Sequence, residues 1–203
     1  MTATAADYTW FQRLFPDLAQ ALCVTLVHKV PPPQLLARLG GRDEPTRTGA
    51  EAIVDAAFDL LEDSDHARQF LAMTTVDEWT LLIEPSGCLG VIEENALPAS
   101  AGTRWVSHFI DIKGIDGFLW AENTVKRLTF SPGLPDYRWG TTPDELLDVM
   151  HRSGFQFWAE TSDTAEFLAA EAALALAEHL TGVRITPELL RDTAFVCGSV
   201  EIG

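Results

Sequence analysis

Apolar and polar positions divide this chain into a helical stretch, a strand-rich stretch and a second helical stretch. In the first, residues 8–64, Trp10, Phe11 and Leu14 form an apolar patch ahead of Pro16, and proline suits the first turn of a new helix. Leu18, Leu22 and Leu26 recur at i+4, which predicts a helix from Pro16 to about Lys29 with one buried stripe. Val30-Pro31-Pro32-Pro33 must be extended, and Pro33 can open a short helix over Gln34–Leu39 that Gly40-Gly41 ends. Arg42–Thr48 is polar and reads as a loop. Ala50–Glu62 is helical again, with Ile53, Val54, Ala57, Phe58 and Leu61 on one face and Asp55, Asp59 and Glu62 on the other.

The second stretch, residues 69–130, changes period. Phe70–Thr75 and Trp79–Glu84 flank a short turn at Val76–Glu78, which is hairpin spacing. Pro85-Ser86-Gly87 ends the second strand, Leu89–Ile92 can continue the sheet, and Glu93–Leu97 reads as a helical or irregular turn. Arg104–Ile112 alternates strictly: Val106, His108, Ile110 and Ile112 share one face, Trp105, Ser107, Phe109 and Asp111 the other. Gly117–Glu122 and Val125–Phe130 pair around Asn123-Thr124. Short links between successive strands favour antiparallel pairing.

The third stretch, residues 142–192, is helical and well punctuated. Thr142-Pro143-Asp144-Glu145 is a capping-box pattern for a helix to about Arg152, with Gly154 as its stop. Asp163 is placed to cap an alanine-rich helix to Leu180, followed by Gly182. Thr186-Pro187 starts a short helix through Arg191, and Ala194–Val200 can add an edge strand. The order predicts one α+β domain over residues 1–203: a central antiparallel meander of about five strands with helices before and after it.

Charge then removes whole classes of function. With 30 acidic against 14 basic residues, the formal charge is −16. Phosphate backbones reward cationic surfaces, so a nucleic-acid partner is not expected, and an anionic membrane is disfavoured for the same reason. A basic protein partner is the complementary choice. No apolar stretch approaches a bilayer span, and Met1–Asp7 carries no signal-peptide pattern, so a cytoplasmic location is expected. Cys23, Cys88 and Cys197 are odd in number and widely spaced, which argues against a disulfide framework or a zinc knuckle.

Catalytic motifs are missing. The histidines at 28, 66, 108, 151 and 179 form no metal-binding pair, Ser86-Gly87-Cys88 feeds no helix as a nucleophile elbow must, and Cys88 has Glu84 rather than a cation nearby. Gly114-Ile115-Asp116-Gly117 is a turn without the Lys-Ser/Thr of a phosphate loop, and Glu62-Asp63-Ser64-Asp65 lacks the glycine and distal glutamate of a calcium loop. No metal or cofactor is expected. Aromatic residues are concentrated instead: Trp79, Trp105, Phe109, Phe118 and Trp120 lie in the meander, with Tyr137, Arg138 and Trp139 after it. Strands apolar on both faces need cover on both sides, or else leave an aromatic groove open to a partner or ligand. Glu84, Trp105, His108, Trp120, Arg138 and Trp139 are the candidate binding residues.

Several blocks resemble a known family: Trp79-Thr80-Leu81-Leu82-Ile83-Glu84-Pro85-Ser86-Gly87, Gly102-Thr103 with Val106-Ser107-His108-Phe109, and Phe118-Leu119-Trp120-Ala121-Glu122. Arg138-Trp139-Gly140, Ala173–Gly182 and Thr186-Pro187-Glu188-Leu189-Leu190 extend the likeness over nearly the whole chain, with a mild departure at Phe130-Ser131-Pro132. The family is a set of uncharacterised single-domain proteins common in GC-rich actinobacteria. The resemblance implies one intact domain and a cytoplasmic actinobacterial origin, and carries no catalytic role. The leading expectation is a non-enzymatic protein-binding module, an immunity-like protein for a basic partner being one version. The alternatives are a small-ligand-binding protein or enzyme with a pocket near His108, Glu84 and Arg138, and a homodimer through an uncovered aromatic face.

Overall fold

The segment that Leu18, Leu22 and Leu26 mark as one helix divides at Ala21 into a short helix and the central strand of the sheet. The computed structural model describes residues 3–158 and 168–202. After a 3-10 turn at Ala5–Tyr8 come α1 (Trp10–Leu14), α2 (Pro16–Gln20) and then β1 (Leu22–His28). Six successive residues of β1 are buried, so the strand is covered on both faces and its sequence runs apolar without alternation. Such a run cannot be told from a buried helix by periodicity alone. Val24, Thr25 and Val27 are β-branched and fit the pleat.

The chain continues through α3 (Pro32–Arg38), β2 (Arg42–Thr48), α4 (Ala50–Asp63), β3 (Arg68–Val76) and β4 (Trp79–Pro85). A 3-10 turn at Leu89–Val91 leads into α5 (Glu93–Ala99), then β5 (Arg104–Ile110), β6 (Asp116–Glu122), β7 (Val125–Phe130) and β8 (Arg138–Trp139). The final elements are α6 (Leu147–Ser153), α7 (Ala169–Thr181), α8 (Pro187–Asp192) and β9 (Ala194–Glu201). Nine strands of the described residues form one sheet in the order β2-β9-β3-β4-β1-β5-β6-β7-β8, and every neighbouring pair is antiparallel.

This sheet adds β1, β2 and the two-residue edge strand β8 to the five-strand meander, and takes the C-terminal strand from an edge into the interior. The β3–β4 and β5–β6–β7 hairpins form as expected, but β1 enters between β4 and β5. Arg42–Thr48 is an edge strand rather than a loop; its charges and Pro45, at a break in register between Glu44 and Arg47, are the features that protect an edge from further pairing. β9 lies inside the sheet between β2 and β3, where Gly198 leaves room for Leu36 of α3: a Cβ there would fall 2.5 Å from the leucine Cδ1. Leu89–Ile92 does not continue the sheet. The capping-box helix begins one turn later than expected, at Leu147, while Thr186 caps α8 as its sequence implies, accepting from Leu189 N–H at 3.2 Å. Asp163 lies outside the described residues.

Both faces of the sheet are covered. Leu22, Val24, Leu26, Ile83 and Val106 face a large core beneath α4, α6 and α7. Val27, Leu82, Trp105 and Leu119 face a smaller one closed by α3, the Leu89 turn and α5. Trp79, Trp105, Phe118 and Trp120 are all buried and only Phe109 is half-buried, so among the described residues the meander offers no open aromatic groove. Among the described residues no helix is long and apolar enough to cross a membrane.

Because β1 is hydrogen-bonded on both edges and buried on both faces, its amides should exchange with solvent only through global unfolding, whereas those of β2 and β8 should exchange through local opening. Native-state hydrogen exchange checks this. Amides of Val24–Val27 exchanging as fast as those of β2 would contradict the strand order.

Candidate functional site

Glu84 and Trp105 belong to one polar cluster on the thinner side of the sheet. Strand register places Cys23 opposite Glu84, and Thr25 opposite both Leu82 and Ser107. The Glu84 carboxylate is fully buried, and its two oxygens accept from the backbone N–H groups of Leu89 (2.8 Å) and Gly90 (2.9 Å). Trp105 Nε1–H is shared between the Gly90 carbonyl (2.8 Å) and Ser107 Oγ (2.7 Å). Gly90 can approach this closely because it has no side chain: a Cβ would lie 2.1 Å from Thr25 Oγ1 and 2.9 Å from Cys23 Sγ. The cluster therefore clamps the Leu89 turn against β1, β4 and β5. Burial pushes the Glu84 carboxyl up to about 7, against the two amides, which favour its charge. Burial, with Glu84 next, also raises the thiols of Cys23 and Cys88, the reverse of what a reactive cysteine needs.

His108 points to the other face. It shares a row with Val24 and Phe118, one residue out of phase with the Cys23–Glu84 row. The ring is buried, its Nδ1 lies 3.3 Å from the Gly117 carbonyl, and Nε2 has no hydrogen-bond partner among the described residues. Burial lowers its pKa to about 4, so the ring is neutral at ordinary pH. His108 lines a pocket of about 240 Å³ with Phe11, Leu22, Ile110 and Leu174.

Arg138 sits on the edge strand, three strands from β5. Its guanidinium is held by Asp144 (Nη2 at 2.7 Å) and the Pro135 carbonyl (3.0 Å), and it lies 5.9 Å from the centre of the Phe157 ring. Trp120 is buried beneath the Arg127 guanidinium, while Trp139 is exposed. The pocket expected near His108, Glu84 and Arg138 does not assemble. Only Glu84 and Trp105 of the six candidates meet in one cluster, and that cluster is closed by the turn it holds.

Sequence pattern gives the acidic face of α4 as one surface for a protein partner, but not the cleft that the structure places between α2 and α4. A cleft of about 290 Å³ is lined by Leu14, Phe15, Asp17, Leu18, Glu51, Val54 and Asp55. Glu51, Asp55, Asp59 and Glu62 follow one another along the exposed side of α4. Phe58, expected in the core, instead stands among them with half its surface open to solvent, and Leu14 is exposed across the cleft. Among the described residues no Lys, Arg or His forms an ion pair with Asp17, Glu51, Asp55, Asp59 or Glu62. The signal was available: residues 50–63 contain five carboxylates and no basic residue. Among the described residues no group of three or more His, Cys, Asp or Glu is arranged to hold a metal ion.

One protein-family model matches residues 1–203. The chain belongs to DUF6461, a family of unknown function. No curated protein and no solved structure matches it. Membership in DUF6461 assigns no role to any residue, so the function of this chain must be argued from its own geometry.

The Glu84 cluster makes a prediction of its own. The folded pKa lies above the usual carboxyl value of 4.5, so the unfolded chain ionises first as pH rises. The contribution of Glu84 to stability is then greatest below about pH 4.5 and falls until about pH 7, by on the order of 3 kcal/mol. Denaturant unfolding of wild type and Glu84→Gln across that range should show their stability difference moving against the wild type as pH rises. A difference independent of pH would mean that Glu84 does not titrate there.

Proposed function

We propose that this DUF6461 chain is a non-enzymatic protein-binding module whose α4 face takes a basic, amphipathic segment of a partner protein. The observation that carries the reading is the α2–α4 cleft: an apolar floor with Asp17, Glu51 and Asp55 at its sides, Leu14 and Phe58 exposed beside it, and no cation of the described residues paired with those carboxylates. An apolar side chain flanked by Lys or Arg is the complement of that surface. We take the protein to be cytoplasmic, as its sequence suggests.

The energetics of α4 support a binding role. Like charges at i,i+4, as in Glu51/Asp55 and Asp55/Asp59, destabilise a helix by about 0.2–0.5 kcal/mol per pair. Asp59, Glu62 and Asp63 also sit near the negative end of the helix macrodipole. A partner cation would relieve both terms, which makes the cost of the stripe to the free protein a source of affinity in the complex.

The double variant Asp55→Lys/Asp59→Lys should accordingly be more stable than wild type by about 1 kcal/mol in low salt: the pairs with Glu51 and Asp63 become attractive while the pair between positions 55 and 59 stays like-charged, and lysine is the better helix former. It should also lose binding. A fluorescein-labelled helical peptide of Arg and Leu, titrated by anisotropy, should bind wild type in low salt and weaken at least tenfold between about 50 and 300 mM salt. Glu94→Lys/Asp148→Lys, which changes net charge equally on exposed residues of other elements, should keep most of the affinity. Equal loss in both variants would mean diffuse attraction to an acidic protein, and the docking face would be rejected.

A further inference from the structure

Another cavity lies at the end of the sheet where α4 stops, and it shares no lining residue with the α2–α4 cleft. Strand register builds it. Arg68, at the start of β3, stands opposite Glu201 of β9, while Arg42 and Glu44 of β2 stand opposite Ser199 and Cys197. Residues directly opposite, or two apart along a strand, share a face. The four charged side chains therefore project to the side of Cys197 and Phe70, which is the side that α4 covers. The last turn of α4 adds Leu60, Asp63 and Ser64 as a wall. The volume is about 610 Å³, within the range of small-molecule sites.

The guanidinium of Arg68 is short of negative charge. The residue is 8% exposed, and a charge so deeply placed is ordinarily paired. Its Nη2 donates to the Ser199 carbonyl (3.1 Å) and to Ser199 Oγ, and that hydroxyl donates in turn to Glu44. Among the described residues the carboxylate it reaches is that of Glu44, at 4.0 Å, and Arg42 Nε shares the same oxygen at 3.6 Å. Two guanidiniums thus divide one carboxylate. Nε and Nη1 of Arg68 have no partner among the described residues; Nε is closed off from solvent and Nη1 is not. Glu201 is exposed and, although directly across from Arg68, does not pair with it. Among the described residues neither Glu201 nor Asp63 belongs to an ion pair.

The cavity consequently has a buried pole with positive charge to spare and a rim with two carboxylates to spare. The negative end of the α4 macrodipole reinforces the rim. A simple anion would meet those carboxylates, and a simple cation would leave Arg68 as it is. Water can hydrate Nη1 but brings no charge to it. We infer that this cavity binds a small zwitterion of the free amino-acid class, its carboxylate on Arg68 and Arg42 and its ammonium on Glu201 and Asp63. An α-amino acid carries both charges on one carbon, which suits Arg68 and Glu201 on residues whose Cα atoms are about 5 Å apart. Leu60, Ala67 and Ile202 give the ligand's own side chain an apolar wall.

Calorimetric titration of the intact chain with each common free amino acid tests the site. The tightest should bind with a Kd below about 1 mM. Its amide keeps only the ammonium and its N-acetyl derivative only the carboxylate, so each should bind at least about tenfold more weakly. In ¹⁵N spectra of the wild-type arginine side chains, the Arg68 resonances should shift with the free amino acid and stay in place with its amide. Glu201→Gln, at an exposed position, should weaken the free amino acid and spare the N-acetyl derivative. An N-acetyl derivative that binds as tightly as its parent would make this an anion site, and an amide that does so would reduce it to attraction by an acidic surface. Either result, unmoved Arg68 resonances, or no amino acid binding below about 1 mM would overturn the assignment. The capped ligands and the spectra need no variant, so the test stands even where a substitution prevents folding, and no outcome of it bears on the α4 face.

Discussion

β1 is hydrogen-bonded to β4 on one side and β5 on the other, and the positions of the remaining layers follow from that double pairing. A strand buried on both faces has no water with which to satisfy its backbone, so its N–H and C=O groups depend on the two neighbours. The same pairing sets the phase of the faces. Cys23, Glu84 and Phe109 fall on one row, and Val24, Ile83 and His108 on the next. A slip of one residue would exchange the two sides of a strand. Glu84 would then turn from the amides of Leu89 and Gly90 into the aliphatic core under α4 and α7. The carboxylate clamp and the register support each other.

The two buried titratable groups show how differently a sheet face can compensate for lost water. Glu84 exchanges hydration for two backbone donors, and the Leu89 turn gains an anchor that apolar contact alone would not orient. His108 keeps one hydrogen-bond contact, to Gly117, and its second nitrogen has none among the described residues. Desolvation moves both pKa values toward the neutral form, upward for the acid and downward for the base. The first arrangement is closed and explains itself structurally. The second leaves one lone pair unmatched among the described residues and keeps the ring neutral.

Much of this architecture was legible from pattern, and the failures share a cause. The strands that alternate or end in turn residues, β3 to β7, were read nearly to their ends, as were α4, the end of α7 and α8. Asn123-Thr124 behaves as a two-residue hairpin should, with positive φ at both positions. β1 was missed because a strand buried on both sides loses the alternation that identifies it. β2 was missed for the opposite reason, being almost wholly exposed and charged. The candidate residues suffered from a related limit. Glu84 and His108 both stand out as polar residues of apolar strands, but local pattern cannot show that β1 separates β4 from β5 and sets their register, and so places the two side chains on opposite faces. Arg138, chosen for its aromatic neighbours, is a clamp for its own loop.

Where the chain places its few cations bears on its large negative charge. Lys126 pairs with Glu93 at 2.6 Å, Arg127 with Glu145 at 3.0 Å, Arg138 with Asp144 at 2.7 Å and Arg184 with Asp7 at 3.1 Å. These pairs join strands, loops and helices elsewhere, while α4, the longest described helix, has no basic residue of its own. If the charge served solubility alone, dispersal over the surface would achieve it with less repulsion within one helix. Instead carboxylates repeat along one side of α4, beside a cleft that also carries Leu14, Phe15 and Val54, at a spacing where they oppose one another. At physiological salt, screening acts over about 8 Å. Neighbouring carboxylates on that stripe still feel one another, and a cation brought between them feels several at once.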